Sequence, residues 1–329
     1  MTIPLSPLVP SPTLVPSKHL VPRGAGVLDR APDTTGLPVL GDLQWSLDDA
    51  VVLGPGTDYN VSGFAFGGAE RRLQDTAIGY SDGDRFGVDR IGGRLITLDV
   101  NTDGWDTASG LRMARKLEAA WDGEPYRSVP GRHQVLRWRR GTQVLRAYGR
   151  SREAIPDHSM DWTGNIPYTL TFRTSEPRFY SDFHFTETIG FVPEEVGGLH
   201  GDLVGDIVAS GHGVSTRGFE VGGDLPTWVI VHVRGPITNP VVEFTDQWRV
   251  QLIGVLRDGE SVLIDPTPWG GPDVRTSAGA NAAGMLTASS RLLSQMKLPP
   301  GRHQAVLLGS DPTGTSSADI IFRDCYASH

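Results

Sequence analysis

The stretch Thr227-Trp-Val-Ile-Val-His-Val-Arg234 decides the fold class, because a short run of valine, isoleucine, threonine and tryptophan is typical of a buried β-strand. Asp258-Gly259 lies further along, between two more apolar runs, and predicts a hairpin turn. Glycine, proline and aspartate separate the strand-like runs of the second half, which are Trp248–Leu256, Ser261–Ile264, Arg302–Leu308 and Asp319–Tyr326. Short strands at even spacing predict a β-sandwich or jelly roll for this half of the chain.

The first half has the same character, with one exception. Short β-type runs between glycine and aspartate clusters occur at Tyr59–Phe66, Thr76–Tyr80 and Arg94–Val100. A single helix is predicted next, capped by Asp106 or Thr107 and ended by Gly123 and Pro125. Its apolar positions recur at helical spacing and lie on one face: Leu111, Ala114, Leu117 and Trp121.

A predicted hairpin follows the helix, with strands His133–Arg139 and Thr142–Arg150 and a turn at Arg140-Gly141. Another alternating run, Ile166–Thr174, ends at Glu176-Pro177. We therefore expect a mainly β chain with one helix in its first half. We place the boundary between two domains, 37–186 and 187–329, after the aromatic cluster Phe179–Phe185.

Residues 1–36 differ from the rest in composition. The tripeptide Leu-Val-Pro occurs at 8–10, 14–16 and 20–22. Proline fixes φ and has no N–H donor, so the segment is predicted to be an extended arm with polyproline character. A loose tail is the other interpretation of the same composition.

Charge and cysteine content exclude several classes of function. The 329 residues include 30 basic and 38 acidic side chains, and the net charge of −8 argues against a chain devoted to nucleic acid or anionic membrane. The one cysteine, Cys325, excludes an intramolecular disulfide framework and is expected to be a buried apolar residue. No apolar run approaches the roughly 18 residues that span a bilayer, so no membrane insertion is expected.

Motifs that carry catalysis or cofactors are missing from the sequence. It has no phosphate-binding Gly-Lys-Ser/Thr loop, no dinucleotide fingerprint, no His-Glu-x-x-His and no Gly-x-Ser-x-Gly. Asp99-Val-Asn-Thr-Asp-Gly104 matches the first half of a calcium loop, but Gly110 occupies the position of the bidentate glutamate. We therefore expect no catalytic residue, no metal and no cofactor.

One charge feature stands out. Residues 111–152 contain eleven basic and three acidic side chains, a balance of +8. Within it Arg137 and Arg139 alternate with Leu136 and Trp138, which predicts guanidinium groups on the face opposite an apolar one. A solvated strand face explains this pattern as well as a docking surface for an acidic partner subunit or passing nucleic acid does, and the overall acidic balance favours a protein partner. The candidate contact residues are Arg137, Arg139, Arg146 and Arg150.

The C-terminal half carries a family resemblance. The segments that carry it are Pro236–Phe244, Val262–Asp265 with Pro268-Trp269, Leu298–His303, Gly309–Gly314 and Ile321–Tyr326. In this order they resemble the minor tail proteins of long-tailed actinobacteriophages, of the distal tail type. The run Thr171–Pro177 with Phe179-Tyr180 is similar to the segment that closes the ring-forming domain of those proteins. The resemblance covers residues 37–329.

The resemblance implies a structural protein of the virion, located at the tail tip and made in the bacterial cytoplasm. Its first domain would form a homo-oligomeric ring, typically a hexamer, and its second domain would be a galectin-like jelly roll. The implied partners are the tail tube protein, the tape measure protein and the tip hub and adhesion proteins. DNA would pass through the ring without specific binding.

Two other functions stay open at the level of sequence. The jelly roll could be a carbohydrate-binding module that holds a host glycan through Trp228, Trp248 or Trp269, although core packing explains each of these residues equally simply. A tail-associated enzyme that degrades polysaccharide is the second alternative. No pair of carboxylates supports it, since 38 acidic residues leave every pairing open.

Overall fold

The computed structural model describes residues 39–191 and 216–328, so the predicted arm 1–36 lies outside the described residues. The chain is mainly β, as predicted. Its first unit contains helices α1 (Thr107–Asp122) and α2 (Glu124–Arg127). The first twelve strands are β1 (Trp45–Leu47), β2 (Val51–Leu53), β3 (Tyr59–Phe66), β4 (Arg71–Arg72), β5 (Thr76–Ala77), β6 (Asp84–Arg85), β7 (Arg90–Ile91), β8 (Leu95–Thr102), β9 (Gln134–Arg140), β10 (Gln143–Pro156), β11 (Pro167–Thr174) and β12 (Phe179–Ser181).

A second set of strands follows along the chain. These are β13 (Phe185–Gly190), β14 (Thr216–Val221), β15 (Thr227–Arg234), β16 (Ile237–Phe244), β17 (Trp248–Gln251), β18 (Val255–Leu256), β19 (Ser261–Asp265), β20 (Asp273–Thr276), β21 (Lys297–Leu298), β22 (Gly301–Ser310), β23 (Ser317–Phe322) and β24 (Cys325–Tyr326). β12 belongs to the first sheet, and β13 to the second unit. The boundary near residue 186 stays a prediction.

Within the described residues the first sheet has nine strands, in the order β2-β1-β9-β10-β11-β8-β3 with β12 and β24 beside this path. β9 and β10 form the predicted hairpin, which turns at Gly141 with a φ of 57°. β12 pairs with β10, and β24 in turn pairs with β12. The last strand of the chain therefore returns to the first sheet, a feature that the linear division into two domains did not include.

Helix α1 covers one face of this sheet and confirms the predicted helix. The Asp106 carboxylate accepts a hydrogen bond from the Ser109 backbone N–H at 2.7 Å, and Gly123 ends the helix in the left-handed region with a φ of 59°. The apolar face predicted from the sequence is buried at Ala114, Leu117 and Trp121. Its docking onto the sheet fixes the loops at the start of the helix.

The second unit is a sandwich of two antiparallel sheets, as predicted. One has the order β13-β23-β15-β19-β20, and β21 also pairs with β15. The other has the order β14-β22-β16-β17, and β18 also pairs with β16. The inner faces of both sheets supply one apolar core, which includes Val231, Phe244, Val250 and Ile320. Such a core stabilises this unit without metals or disulfides.

The predicted Asp258-Gly259 hairpin is wrong. Gly259 does form a turn, with a φ of 76°. However, β18 before the turn pairs with β16, whereas β19 after it pairs with β15 and β20 in the other sheet. All five residues of β19 are buried, and a strand buried on both faces belongs in the interior of a sheet. The turn therefore crosses between the two sheets.

His232 on β15 makes the stability of the second unit dependent on pH. The ring is 1% exposed, and its Nε2 lies 3.0 Å from the Ser261 hydroxyl. Burial, together with the charge of Arg234, lowers the pKa of His232 from 6.5 to about 4. On acidification the unfolded chain therefore binds the proton first, and stability that is complete above pH 6.5 is lost as the pH falls towards 4.

We expect this loss to reach about 3 kcal/mol, because each unit of pKa difference corresponds to roughly 1.4 kcal/mol. Urea unfolding between pH 7.5 and pH 4 measures it. His232→Gln keeps a polar side chain but does not titrate, so its stability relative to the wild type should be constant above pH 6.5 and improve as the pH falls from 6.5 to 4. A constant difference between the two proteins would show that His232 does not carry the effect.

Candidate functional site

Two of the four predicted contact arginines lie inside the protein. Arg137 on β9 and Arg146 on β10 are direct cross-strand neighbours and are 4% and 0% exposed. Like charges in such positions repel each other. The carboxylate of Asp182 lies between them, with 2.7 Å from Oδ2 to Arg137 Nη2 and 2.6 Å from Oδ1 to Arg146 Nη2. It converts a repulsive pair into a buried ion cluster, to which Asp49 adds a contact of 2.7 Å with Arg137.

The order of strands explains how this cluster forms. Asp182 directly follows β12, which pairs with β10 at Leu145 and Arg146. Burial raises the pKa of the Asp182 carboxyl, but the hydrogen bonds from Arg137 and the positive charges of Arg146 and Arg137 outweigh burial and hold it below its usual value. Asp182 is therefore ionised at neutral pH, where its one negative charge attracts both guanidinium groups.

The predicted exposed guanidinium face is therefore wrong for Arg137 and Arg146. The sequence shows the alternation along β9 but not that Asp182, 45 residues away in sequence, covers that face. Arg139 and Arg150 are only half-buried and bind backbone carbonyls, at 2.9 Å from Arg139 Nη1 to Leu40 O and 2.7 Å from Arg150 Nη2 to Val129 O. Their contact with a partner stays a prediction.

The tryptophans proposed to hold a glycan lie in packed surroundings. Trp228 and Trp248 are each 8% exposed. Lys297 Nζ lies 3.8 Å from the ring centroid of Trp228, and the Trp248 Nε1–H donates to the Lys297 carbonyl at 2.8 Å. Since both indoles are covered by protein, the expectation that these two were exposed aromatics is wrong, and core packing explains them.

Trp269 joins the two units. Its ring is half-buried and stacks on Tyr148 of the first sheet, with centroids 4.1 Å apart and planes 3° from parallel. Tyr180 meets the same ring edge-on at 4.6 Å. A cavity of about 20 Å³, room for about one water molecule, remains between the units at this point. The loop that carries Trp269 therefore fastens the sandwich to the first sheet.

The most exposed apolar surface of the first unit is a hairpin that projects from the sheet. It comprises residues 67–94, between β3 and β8, and contains the two short ladders β4–β7 and β5–β6. We call it the projecting hairpin. Its large apolar side chains are mostly open to solvent: Leu73 61%, Tyr80 95%, Phe86 84%, Val88 73% and Ile91 56% exposed.

The position of the projecting hairpin explains why it stands free. The hairpin connects the paired strands β3 and β8 at the end where Phe66 lies opposite Ile96, and its two ladders lie beyond that end of the strands. Single exposed apolar residues are common on protein surfaces, but five on one short hairpin form a patch of the kind that binds other proteins. The projecting hairpin is therefore a candidate contact surface, which the β-type pattern at Thr76–Tyr80 did not reveal.

Other candidate sites have structural explanations. The run Asp99–Gly104 contains the end of β8, and across residues 39–191 and 216–328 no three His, Cys, Asp or Glu side chains are grouped as metal ligands. Cys325 is fully buried, and burial raises the pKa of its thiol to about 12, so it is a protonated apolar side chain. None of the helices described is long and apolar enough to cross a bilayer.

Comparison with known proteins gives matches at the level of structure. No protein-family model matches the chain, and no curated protein matches it. The crystal structure of Dit (gp 19.1) of phage SPP1, described as a paradigm of the hub adsorption apparatus in phages that infect Gram-positive bacteria, is similar with a TM-score of 0.56 and 12% identity. The similarity covers 87% of this chain and 99% of that chain.

Chains of the phage P2 baseplate in its activated conformation, with Ca and with Sr, are similar with a TM-score of 0.47 and 11% identity. They cover 84% and 85% of this chain, respectively. At this score they add nothing to the likeness to the SPP1 protein. The chain is therefore a mainly β protein with two units built from antiparallel sheets. It shares the fold of SPP1 Dit over 87% of its own length and 99% of that chain.

Proposed function

We propose that this chain is a structural protein of a phage tail tip, of the distal tail type. The observation that carries the proposal is the likeness in fold to SPP1 Dit, which includes both units and 99% of that chain. A match of such extent includes the order of the two units as well as each of them separately. The sequence motifs of the C-terminal half, which resemble tail proteins of actinobacteriophages, point to the same class independently.

In this proposal the first unit assembles copies of the chain into a ring, with six as the expected number. The projecting hairpin supports it, because its exposed side chains, such as Phe86 and Val88, would be covered by a neighbouring copy. The ring would join the tail tube and tape measure proteins to the hub and adhesion proteins and would leave a passage for DNA. Its location would be the virion, after synthesis in the cytoplasm of the host.

A structural role also fits the surroundings of the acidic and aromatic side chains. The deeply buried carboxylates Asp182 and Asp319 are paired with arginines rather than turned towards a cleft. Trp228 and Trp248 are buried, so they do not support the carbohydrate-binding alternative as glycan contacts. No observation on the described residues favours an enzyme over a scaffold.

Mass measurement of the purified chain across a range of concentrations, combined with negative-stain imaging, tests this function. We expect ring-shaped particles whose mass is a small multiple of 35.5 kDa. The measurement is repeated in the presence of the tail tube protein of the same phage, the proposed partner for closure of the ring. A chain that stays monomeric alone and with that partner would contradict the proposal.

A further inference from the structure

Two tryptophans of this chain are open to solvent. Trp105 and Trp162 are 78% and 74% exposed, whereas the other six of the eight are at least half-buried. Both belong to the first unit, Trp105 in the loop before α1 and Trp162 in the 3-10 turn His158–Thr163. Tryptophan is enriched where proteins bind their partners, and exposing two large indoles to water is costly.

The backbone holds these two residues beside each other. Gly104, Gly110 and Gly164 pack so closely that a Cβ on Gly104 would lie 2.6 Å from both the Gly110 nitrogen and the Gly164 oxygen. Thr107 Oγ1 also donates to the Trp162 carbonyl at 3.3 Å. The loop that carries Trp105 and the turn that carries Trp162 are thus fixed against one another, so the two exposed indoles belong to neighbouring segments.

Three aspartates lie close in sequence to the two tryptophans. Asp103 and Asp106 flank Trp105, and Asp161 precedes Trp162. Hydrogen bonds from Ser109 lower the pKa of Asp106, which is therefore ionised at neutral pH. Arg112 in the next turn of α1 is a cation close to Asp106, and His158 Nδ1 lies 2.9 Å from Asp161 Oδ2. We call this set of Trp105, Trp162 and the three aspartates the tryptophan surface.

The N-terminal segment of the chain has the complementary chemistry. Its prolines Pro4, Pro7 and Pro10 recur every third residue, the spacing with which a polyproline helix presents one face to an aromatic groove. Residues 1–28 contain Lys18 and Arg23 and no acidic side chain. Proline rings suit indole faces, and the two cations suit the aspartates.

The chain is long enough for this contact within one molecule. The described residues begin beside the turn of the β9–β10 hairpin, where Arg139 binds Leu40, and the tryptophan surface follows the other end of β10. The 14 residues of β10 span about 45 Å. The residues between Pro10 and position 39 can span roughly 90 Å in a polyproline helix.

We propose that the proline-rich segment of this chain docks on the tryptophan surface of the same chain. Proline rings of the run Pro4–Pro16 stack on Trp105 and Trp162, and Lys18 and Arg23 face Asp103, Asp106 and Asp161. The contact is independent of the proposed ring, because it needs one chain only. Its role would be to fix the N-terminal segment over the end of the first sheet.

Fluorine NMR of the full chain with 5-fluorotryptophan and a nitroxide at Ser11→Cys tests the proposal. Cys325 does not take the label, since it is fully buried. The signals of Trp105 and Trp162, assigned with W105F and W162F, should lose most of their intensity and regain it when ascorbate reduces the nitroxide. The buried Trp121 and Trp138 should keep theirs.

Three controls keep the result specific. Replacing Pro7 and Pro10 by alanine in the labelled chain should restore both signals, and dilution with unlabelled chain should leave the loss unchanged. Equal effects on all tryptophans, a loss that survives the proline substitutions, or a loss that vanishes on dilution would each overturn the proposal. So would sharp Trp105 and Trp162 signals that shift instead on addition of chitohexaose, which would assign the surface to a glycan.

Discussion

Asp182→Asn is expected to destabilise the first unit by about 3–5 kcal/mol, because it leaves two buried guanidinium groups facing each other without a carboxylate between them. Arg137 and Arg146 are almost completely buried, and Asp182 accepts five hydrogen bonds from them. Asparagine has nearly the same shape, so the change removes charge without creating a cavity. Urea unfolding followed by the fluorescence of Trp138 and its neighbours in the first unit measures the loss.

A matched control for this prediction lies on the surface. Asp122 pairs with Arg127 at 3.4 Å, but both side chains are more than half exposed. An exposed ion pair contributes less than about 1 kcal/mol, so Asp122→Asn should change stability little. If Asp182→Asn cost no more than Asp122→Asn, the cluster would not be the element that holds β9, β10 and β12 together.

Replacing Leu73, Phe86 and Val88 of the projecting hairpin by serine is expected to raise the concentration needed for assembly at least about 100-fold while leaving the fold of each chain intact. These side chains are 61%, 84% and 73% exposed in the single chain, so the substitutions remove no core contact. Burying one large apolar side chain at an interface contributes roughly 1.5–3 kcal/mol. A loss of about 3 kcal/mol per subunit contact raises the concentration needed for assembly roughly 100-fold.

Mass photometry across a dilution series measures this concentration, and circular dichroism shows that the fold is kept. The control is Ile253→Ser with Leu292→Ser, which removes two equally exposed side chains, 63% and 65%, from the second unit. The control protein should assemble like the wild type. Equal assembly by both variants would remove the projecting hairpin from the proposed ring contact.

The sequence predicted local structure well, because each element carries its own signal. α1 has a cap, an apolar face and a stop glycine, and the β9–β10 hairpin has two alternating runs around Gly141. Which strands pair was less predictable. Asp258-Gly259 gives a local turn signal, yet the burial of β19 on both faces places that strand in the opposite sheet from β18.

Side-chain exposure was the property that the sequence predicted least well. Arg137 and Trp248 were candidates for contact with a partner and a glycan, but both side chains are buried. Asp182 binds the guanidinium group of Arg137, and the Lys297 carbonyl accepts a hydrogen bond from the indole of Trp248. Trp105 and the apolar side chains of the projecting hairpin are the reverse case. Their apolar character suggests burial in a core, but no element of the described chain covers them. Both errors arise because burial depends on segments far apart in sequence.

Immunogold labelling of intact phage particles with antibodies against this chain tests whether the chain is a structural protein of the tail tip. The antibodies are raised against the purified protein and applied to particles of the phage that encodes it. We expect gold at the end of the tail that is opposite the capsid, and none on the capsid or along the length of the tail tube. Gold on the capsid or along the tube, or unlabelled particles whose proteins lack this chain by mass spectrometry, would contradict a structural role at the tail tip.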